Sequence, residues 1–325
     1  MTMYSRVLVL CNGAPRPEDM SEYKNVLTLA YNPNAPSERN IQLSLPDFVR
    51  DVYHLPDRLL DLLEIAAYVF SADRLIRRGE RDDVEYHAWA RSFEFRIRVR
   101  DHAFWSQDCV KRKLGEALTF ITGDRDFAFI FQSGHHTPAT SLFDQEDFRI
   151  ESRQKTSIVL FSGGLDSLAG AIEQLETTDD HVCLVSHRSQ PGIMRTQDGL
   201  VRALKQHPRY EGRISHYPFL CRLKGIRAPE ESQWTRAFLY TSIAFALCRA
   251  LSQDEFFVYE NGVTSLNFAR REDLANARAS RTTHPRTVAL LQSLFSEIAD
   301  RSIRIHAPFV WHTKADIFRK MQSFG

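Results

Sequence analysis

The run Ser162-Gly163-Gly164-Leu165-Asp166-Ser167 brings together the residue types that a phosphate site needs. Its two glycines let the backbone turn tightly and carry N–H groups up to an anion. An apolar run at 157–161 precedes it, and Leu165, Leu168, Ala169, Ile172 and Leu175 follow at helical spacing. A helix starting here adds unpaired N–H donors and a partial positive charge. Ser162 and Ser167 contribute hydroxyls. Asp166 is a carboxylate beside a phosphate site, which is unfavourable unless a cation lies between them. The combination implies Mg-ATP, with the loop on the phosphates and Asp166 helping to hold Mg²⁺. The plain alternative is a Gly-Gly turn with a serine cap. No Walker-type Gly-x4-Gly-Lys-Ser/Thr occurs in the chain.

The elements that must position this loop alternate between strand and helix. Strand patterns fall at 157–161, 182–185, 214–220, 256–259 and 303–307, and helical patterns at 165–175, 198–206, 234–251 and 287–299. Thr313 then caps a last helix that runs toward Met321. Repeated β-α units predict an α/β fold with a doubly wound parallel sheet, whose ligands lie at the C-terminal ends of the strands. The glycine loop, Ser186-His187 and Glu260-Asn261-Gly262 all follow strands directly and are expected on one rim. Glu260 and Asn261 offer a carboxylate and an amide that suit a purine-like edge, or they form a strand-to-loop turn. His187 reads as a base or ribose contact, or as a structural histidine.

The first half reads differently. Residues 6–10, 27–31 and 127–131 are strand patterns, and 58–75 and 110–120 are helical. In 93–99, Phe93, Phe95, Ile97 and Val99 alternate with Arg96 and Arg98, the pattern of a half-buried antiparallel strand. Arg96, Arg98 and Arg100 form a face that contacts RNA or a partner, or is solvated or covered by acidic groups of a neighbouring helix. Asp73 with Arg74, Arg77 and Arg78 reads as a solvated helix end. The prediction is an α+β accessory or partner-binding domain over 1–148 and an ATP-binding domain over 149–325, joined through a polar linker at 132–155.

Bulk properties narrow the function classes. The chain has 325 residues, 42 Lys+Arg against 41 Asp+Glu, and a formal charge of +1, so no overall basic excess points to nucleic acid. No apolar run is long enough to span a membrane, and residues 1–10 lack a signal-peptide layout. The five cysteines are scattered without a Cys-x-x-Cys, which fits a reducing cytoplasm and builds no metal site.

The 162–167 loop resembles the SGGxDS loop of the PP-loop ATP pyrophosphatase superfamily, which grips the pyrophosphate end of ATP while the α-phosphate is attacked. Further pieces over 157–321 resemble one branch, 7-cyano-7-deazaguanine synthase of the queuosine pathway. That family opens a long helix with Gly-Arg-Asn; here Trp234-Thr235-Arg236 keeps only the arginine. Its Pro…Thr-Lys-x-x-Ile segment is matched by Pro308 and Thr313-Lys314-Ala315-Asp316-Ile317. A lysine at a helix start opposes the helix dipole unless an anion sits there, so Lys314 is the candidate contact for the α-phosphate or an acyl-adenylate. Of the family's Tyr-Pro-Asp-Cys-Arg substrate loop, the segment with Arg278, Arg281 and His284-Pro285 keeps a proline and basic residues.

The family's terminal zinc-binding cysteines are not in this chain. Apolar Ile317, Phe318 and Met321 in the last helix imply a truncated chain, with zinc only in a longer native one. The layout looks like longer relatives encoded in antiphage defence operons of the Qat and CBASS kind. The resemblance implies an ATP-dependent C–N ligase acting on a 7-deazaguanine carboxylate. Asp166, Lys314 and Arg236 would be catalytic, Ser162 to Ser167 with Ser186 and His187 would bind nucleotide, and Glu260, Asn261, Gly262, Arg281 and His284 would bind substrate. An operon protein is the expected partner. A tRNA-modifying enzyme of the same superfamily and a non-catalytic nucleotide-binding scaffold are the alternatives.

Overall fold

The computed structural model describes residues 6–31, 40–44, 55–78, 90–134, 155–230, 233–266 and 281–324. The chain divides into two compact units. One comprises residues 1–42, 56–142 and 222–239, and the other 43–55, 143–221 and 240–325. Most of the expected linker, and Arg278, lie outside the described residues.

The first unit holds β1 (Arg6–Cys11), β2 (Tyr23–Leu29), α1 (Asp57–Leu75), β4 (Ser92–Val99), α2 (His102–Trp105), α3 (Asp108–Thr122) and β5 (Asp126–Ser133); β3 (Ile41–Ser44) straddles the division. Its four-stranded sheet has the order β2-β1-β4-β5. All three pairings are parallel, so the antiparallel expectation for β4, and with it the α+β character of this unit, is corrected. Alternation reports which face each side chain takes but not strand direction, and the helices on either side of β4 return the chain to the same end of the sheet.

Phe93, Phe95, Ile97 and Val99 are buried as expected. Phe95 stacks on Phe129 with centroids 5.3 Å apart, and Phe93 on Phe127 at 5.2 Å. Of the basic face, Arg100 is taken by acidic residues of α1, with Asp61 at 2.9 Å and Glu64 at 2.7 Å. Arg96 pairs with Glu94 at 3.0 Å.

Asp73 and Arg78 are not at a solvated helix end. They form a buried cluster with Arg91 and Asp124, in which Arg78 reaches Asp124 at 2.8 Å and Asp73 at 3.1 Å, and Arg91 reaches Asp124 at 2.7 Å. Neutralising one buried ion with another makes such a site tolerable. Asp73 also accepts the backbone N–H and the hydroxyl of Thr235, each at 3.0 Å, which ties residues 222–239 into this unit.

The second unit contains β6 (Thr156–Leu160), α4 (Leu165–Thr177), β7 (His181–His187), α5 (Pro191–Gln206), most of β8 (Ile214–Leu223), most of α6 (Arg236–Ala250), β9 (Glu255–Val258), α7 (Gly262–Leu266), α8 (Pro285–Ala299), β10 (Arg304–His306) and α9 (Lys314–Gln322). The sheet order is β10-β9-β6-β7-β8-β3, with β10/β9, β9/β6, β6/β7 and β7/β8 all parallel. This is the expected doubly wound arrangement. The chain winds outward from β6 through β7 to β8, then crosses by α6 to β9 on the other side of β6.

Side chains alternate to both faces of the sheet. Val159, Val182, Leu184 and Phe257 pack with α4, α5 and α9 on one face. On the other, Phe256 meets Phe295 of α8, which stacks on Phe245 of α6 at 4.5 Å. In α9, Ile317 and Met321 pack into the first of these cores, while Phe318 stays exposed. Thr313 and Asp316 cap α9 reciprocally.

Candidate functional site

Where winding direction reverses, the C-terminal ends of two neighbouring strands diverge and leave a crevice, the usual ligand site of such sheets. Here the reversal lies between β6 and β9. The glycine loop leaves β6 at this point, and Tyr259-Glu260-Asn261 leave β9.

The loop is built from its own sequence. Gly163 sits at φ +83°, a conformation that costs a residue with a Cβ. Gly164 is the N-cap of α4 and supplies no side-chain acceptor, so the helix start keeps donors for a ligand. Ser162 Oγ accepts from the Gly164 N–H at 3.3 Å and lies 3.1 Å from Ser167 Oγ, which donates to the Gly164 carbonyl at 3.1 Å. Ser162, Gly164 and Leu165 face solvent, while Asp166 and Ser167 are buried beneath them.

Asp166 is 8% exposed. Its Oδ2 accepts two hydrogen bonds from Asn261, the backbone N–H at 3.0 Å and the side-chain amide at 2.6 Å. Its Oδ1 is buried and has no partner. An ionised oxygen without a donor costs free energy unless a cation or a donor arrives. Asn261 is 1% exposed, and its Nδ2 and Oδ1 also bond Thr264 at 3.1 Å each. Asn261, expected at a purine-like edge or in a strand-to-loop turn, gives its amide to Asp166.

Gly262 donates to the His312 carbonyl at 2.8 Å. A Cβ there would lie 2.4 Å from the Val310 carbonyl oxygen, so the strand loop and the loop before α9 approach too closely for any other residue. Lys314 opens α9 two residues after His312 and is exposed. Lys320, further along α9, pairs with Glu173 of α4. The fold therefore joins the glycine loop, Asp166, Asn261, Gly262 and the start of the Lys314 helix.

Other expected site residues have different surroundings. Ser186 is fully buried, donating to the Phe161 carbonyl at 2.8 Å and meeting His216 Nε2 at 2.9 Å. His187 is also buried, with Nδ1 2.8 Å from the Tyr240 hydroxyl and Nε2 3.4 Å from the Cys221 carbonyl. Both have internal roles at the end of β7. Glu260 is half-buried, and its carbonyl accepts from Ser265 at 3.4 Å. His284 caps α8, its Nδ1 accepting from the Arg286 N–H at 3.1 Å. Burial and then the charges of Arg281 and Arg286 lower the His284 pKa. The preceding residue, Thr283, meets Ser265 of α7 at 2.9 Å, which connects this segment to the rim. Arg236 opens α6 and belongs to the first unit.

Sequence reasoning missed Gln197 on α5, which is 1% exposed and donates to the carbonyls of Ser162 at 3.2 Å and His187 at 3.3 Å. A lone glutamine on an amphipathic helix carries no signal for this role. Among the described residues no three His, Cys, Asp or Glu side chains form a metal cluster, and no helix is long and apolar enough to cross a membrane. No protein-family model matches the chain, and no curated protein matches it significantly.

Proposed function

We propose that the second unit binds ATP at the 162–167 loop and transfers its AMP to a carboxylate, as the resemblance to PP-loop enzymes implies. The observation that carries this reading is Asp166: a buried carboxylate with one bare oxygen, held under an open glycine turn at the switch point of a doubly wound sheet. Loop N–H groups and the start of α4 would take the β- and γ-phosphates. Magnesium in nucleotide sites uses one or two carboxylates together with phosphate oxygens and water, so a single bare Asp166 oxygen fits it without a full protein cage. When bound there, the ion would neutralise charge on the phosphates.

The substrate carboxylate oxygen would form a bond to the α-phosphorus while the bond to the bridging oxygen of pyrophosphate breaks. An amine nitrogen would then attack the acyl carbon, AMP would leave, and the amine proton would pass to solvent. Lys314, exposed at the start of α9, is the group for the α-phosphate or acyl-adenylate. By the same resemblance the acid is 7-carboxy-7-deazaguanine, and the acceptor is ammonia or the amine of a partner protein in a defence operon.

The test is release of pyrophosphate and AMP from ATP with this acid, beside an Asp166→Ala control. Release that requires both the acid and Asp166 supports the reading. ATP binding without release would make the unit a non-catalytic nucleotide binder. Absence of both would discard the reading.

A further inference from the structure

Gln197 reaches across from α5 to the point where β6 and β7 end. Its Nε2 donates to two backbone carbonyls, Ser162 at 3.2 Å and His187 at 3.3 Å, which closes the gap beyond the last ladder bond between these strands. The contact falls on the loop itself. A Cβ on Gly163 would lie 3.0 Å from Gln197 Cγ, so the glutamine stem packs against the residue that turns at φ +83°. The side chain is 1% exposed, and its Oε1 is buried with no partner. Leaving that acceptor unpaired is unfavourable, and the two bonds from Nε2 are what the position retains in return.

Resting on the ATP-binding reading above, we propose that Gln197 is a positioning residue for the phosphate loop. It touches no reacting atom. By fixing the Ser162 carbonyl it orients the peptide units that follow, and so sets where the loop N–H groups point. A displacement of about 1 Å in such groups can cost on the order of 100-fold in rate. The effect is confined to the β- and γ-phosphates, because these are the groups the loop addresses; the adenosine end of the nucleotide is untouched.

The experiment compares ATP, inorganic pyrophosphate and AMP binding by calorimetry in the whole protein and in Gln197→Met, which keeps the volume and unbranched stem but has no donors. The expected result is a loss of about 10-fold or more in affinity for ATP and pyrophosphate with AMP affinity unchanged, beside a lowered melting temperature from the two carbonyls left without a donor. Equal losses for ATP and AMP, or no loss, would overturn the proposal. If Gln197→Met does not fold, Gln197→Leu, close to methionine in volume and also without donors or charge, carries the same comparison. Failure of both variants to fold would overturn it too, since the residue would then support the unit as a whole. If the unaltered protein binds neither ATP nor pyrophosphate, it is the ATP reading that falls.

Discussion

Asp166 gives one carboxylate oxygen to Asn261 and keeps the other bare. Oδ2 receives the Asn261 backbone N–H at 3.0 Å and its amide at 2.6 Å, while Oδ1 is buried without a donor. The two residues come from opposite sides of the switch point, so their bond holds the β6 and β9 ends together and fixes the direction of Oδ1 in advance. Asn261→Ala removes the side-chain donor and leaves a buried carboxylate under-satisfied. The expected cost is about 1–3 kcal/mol in urea unfolding, together with a fall in pyrophosphate release. An unchanged unfolding midpoint would show that the side-chain bond contributes nothing.

Gly262 is irreplaceable for a steric reason. Gly262→Ala places a Cβ 2.4 Å from the Val310 carbonyl oxygen and pushes α9 away from Asn261. Overpacking of this kind costs about 1–3 kcal/mol, and activity is expected to fall with it. Gly199→Ala is the control: nothing lies within 4 Å of its Cβ, and it sits inside α5. It is expected to raise stability by about 0.5–1 kcal/mol. Thermal melts of the two variants should move in opposite directions.

Lys314 and Thr313 separate chemistry from capping. Thr313→Ala loses the cap and is expected to cost about 1 kcal/mol. Lys314→Ala removes an exposed side chain, so stability should stay within about 0.5 kcal/mol. Pyrophosphate release should nevertheless drop by at least about 10-fold if the lysine stabilises charge on the reacting phosphate. Parallel melts and initial rates decide it. Equal small effects on both would return Lys314 to the status of a surface residue.

The acid response of the first unit should run through Asp73. Burial alone would raise its pKa, but the guanidinium groups of Arg91 and Arg78 and the Thr235 N–H outweigh it and hold the carboxyl below its ordinary 3.8. A depressed carboxyl contributes stability that is present above the unfolded value and is lost as pH falls through the folded one. Asp73→Asn should therefore be less stable than wild type at neutral pH, by about 3–5 kcal/mol for breaking a buried ion cluster. The gap should narrow only below about pH 4. Denaturant midpoints measured from pH 7 to pH 2 would show this, and a gap independent of pH would refute it.

Some of the molecule was legible in the chain because the deciding interactions are between near neighbours. Gly163 and Gly164 set their own turn, Thr313 and Asp316 cap their own helix, and the alternation from Phe93 to Val99 marks a buried face. The β-α rhythm of the second half fixed the parallel sheet, since each helix returns the chain to the same end of the strands. What the chain alone left open depends on layers packing together. The direction of β4 came from the helices around it. Asp73 and Arg78 looked like a surface helix end until Arg91, Asp124 and Thr235 closed over them.

The site divides in the same way. Residue types and local spacing determined that a glycine turn of the kind suited to phosphate sits after β6 and that Asp166 lies beside it. Only the tertiary structure decided that Asn261, 95 positions away, pins Asp166, and that Gln197, 35 positions from Ser162, holds the loop. It also turned Ser186 and His187 inward. Such contacts follow from strand order and from which face a helix covers, and no periodicity in the sequence encodes either of them.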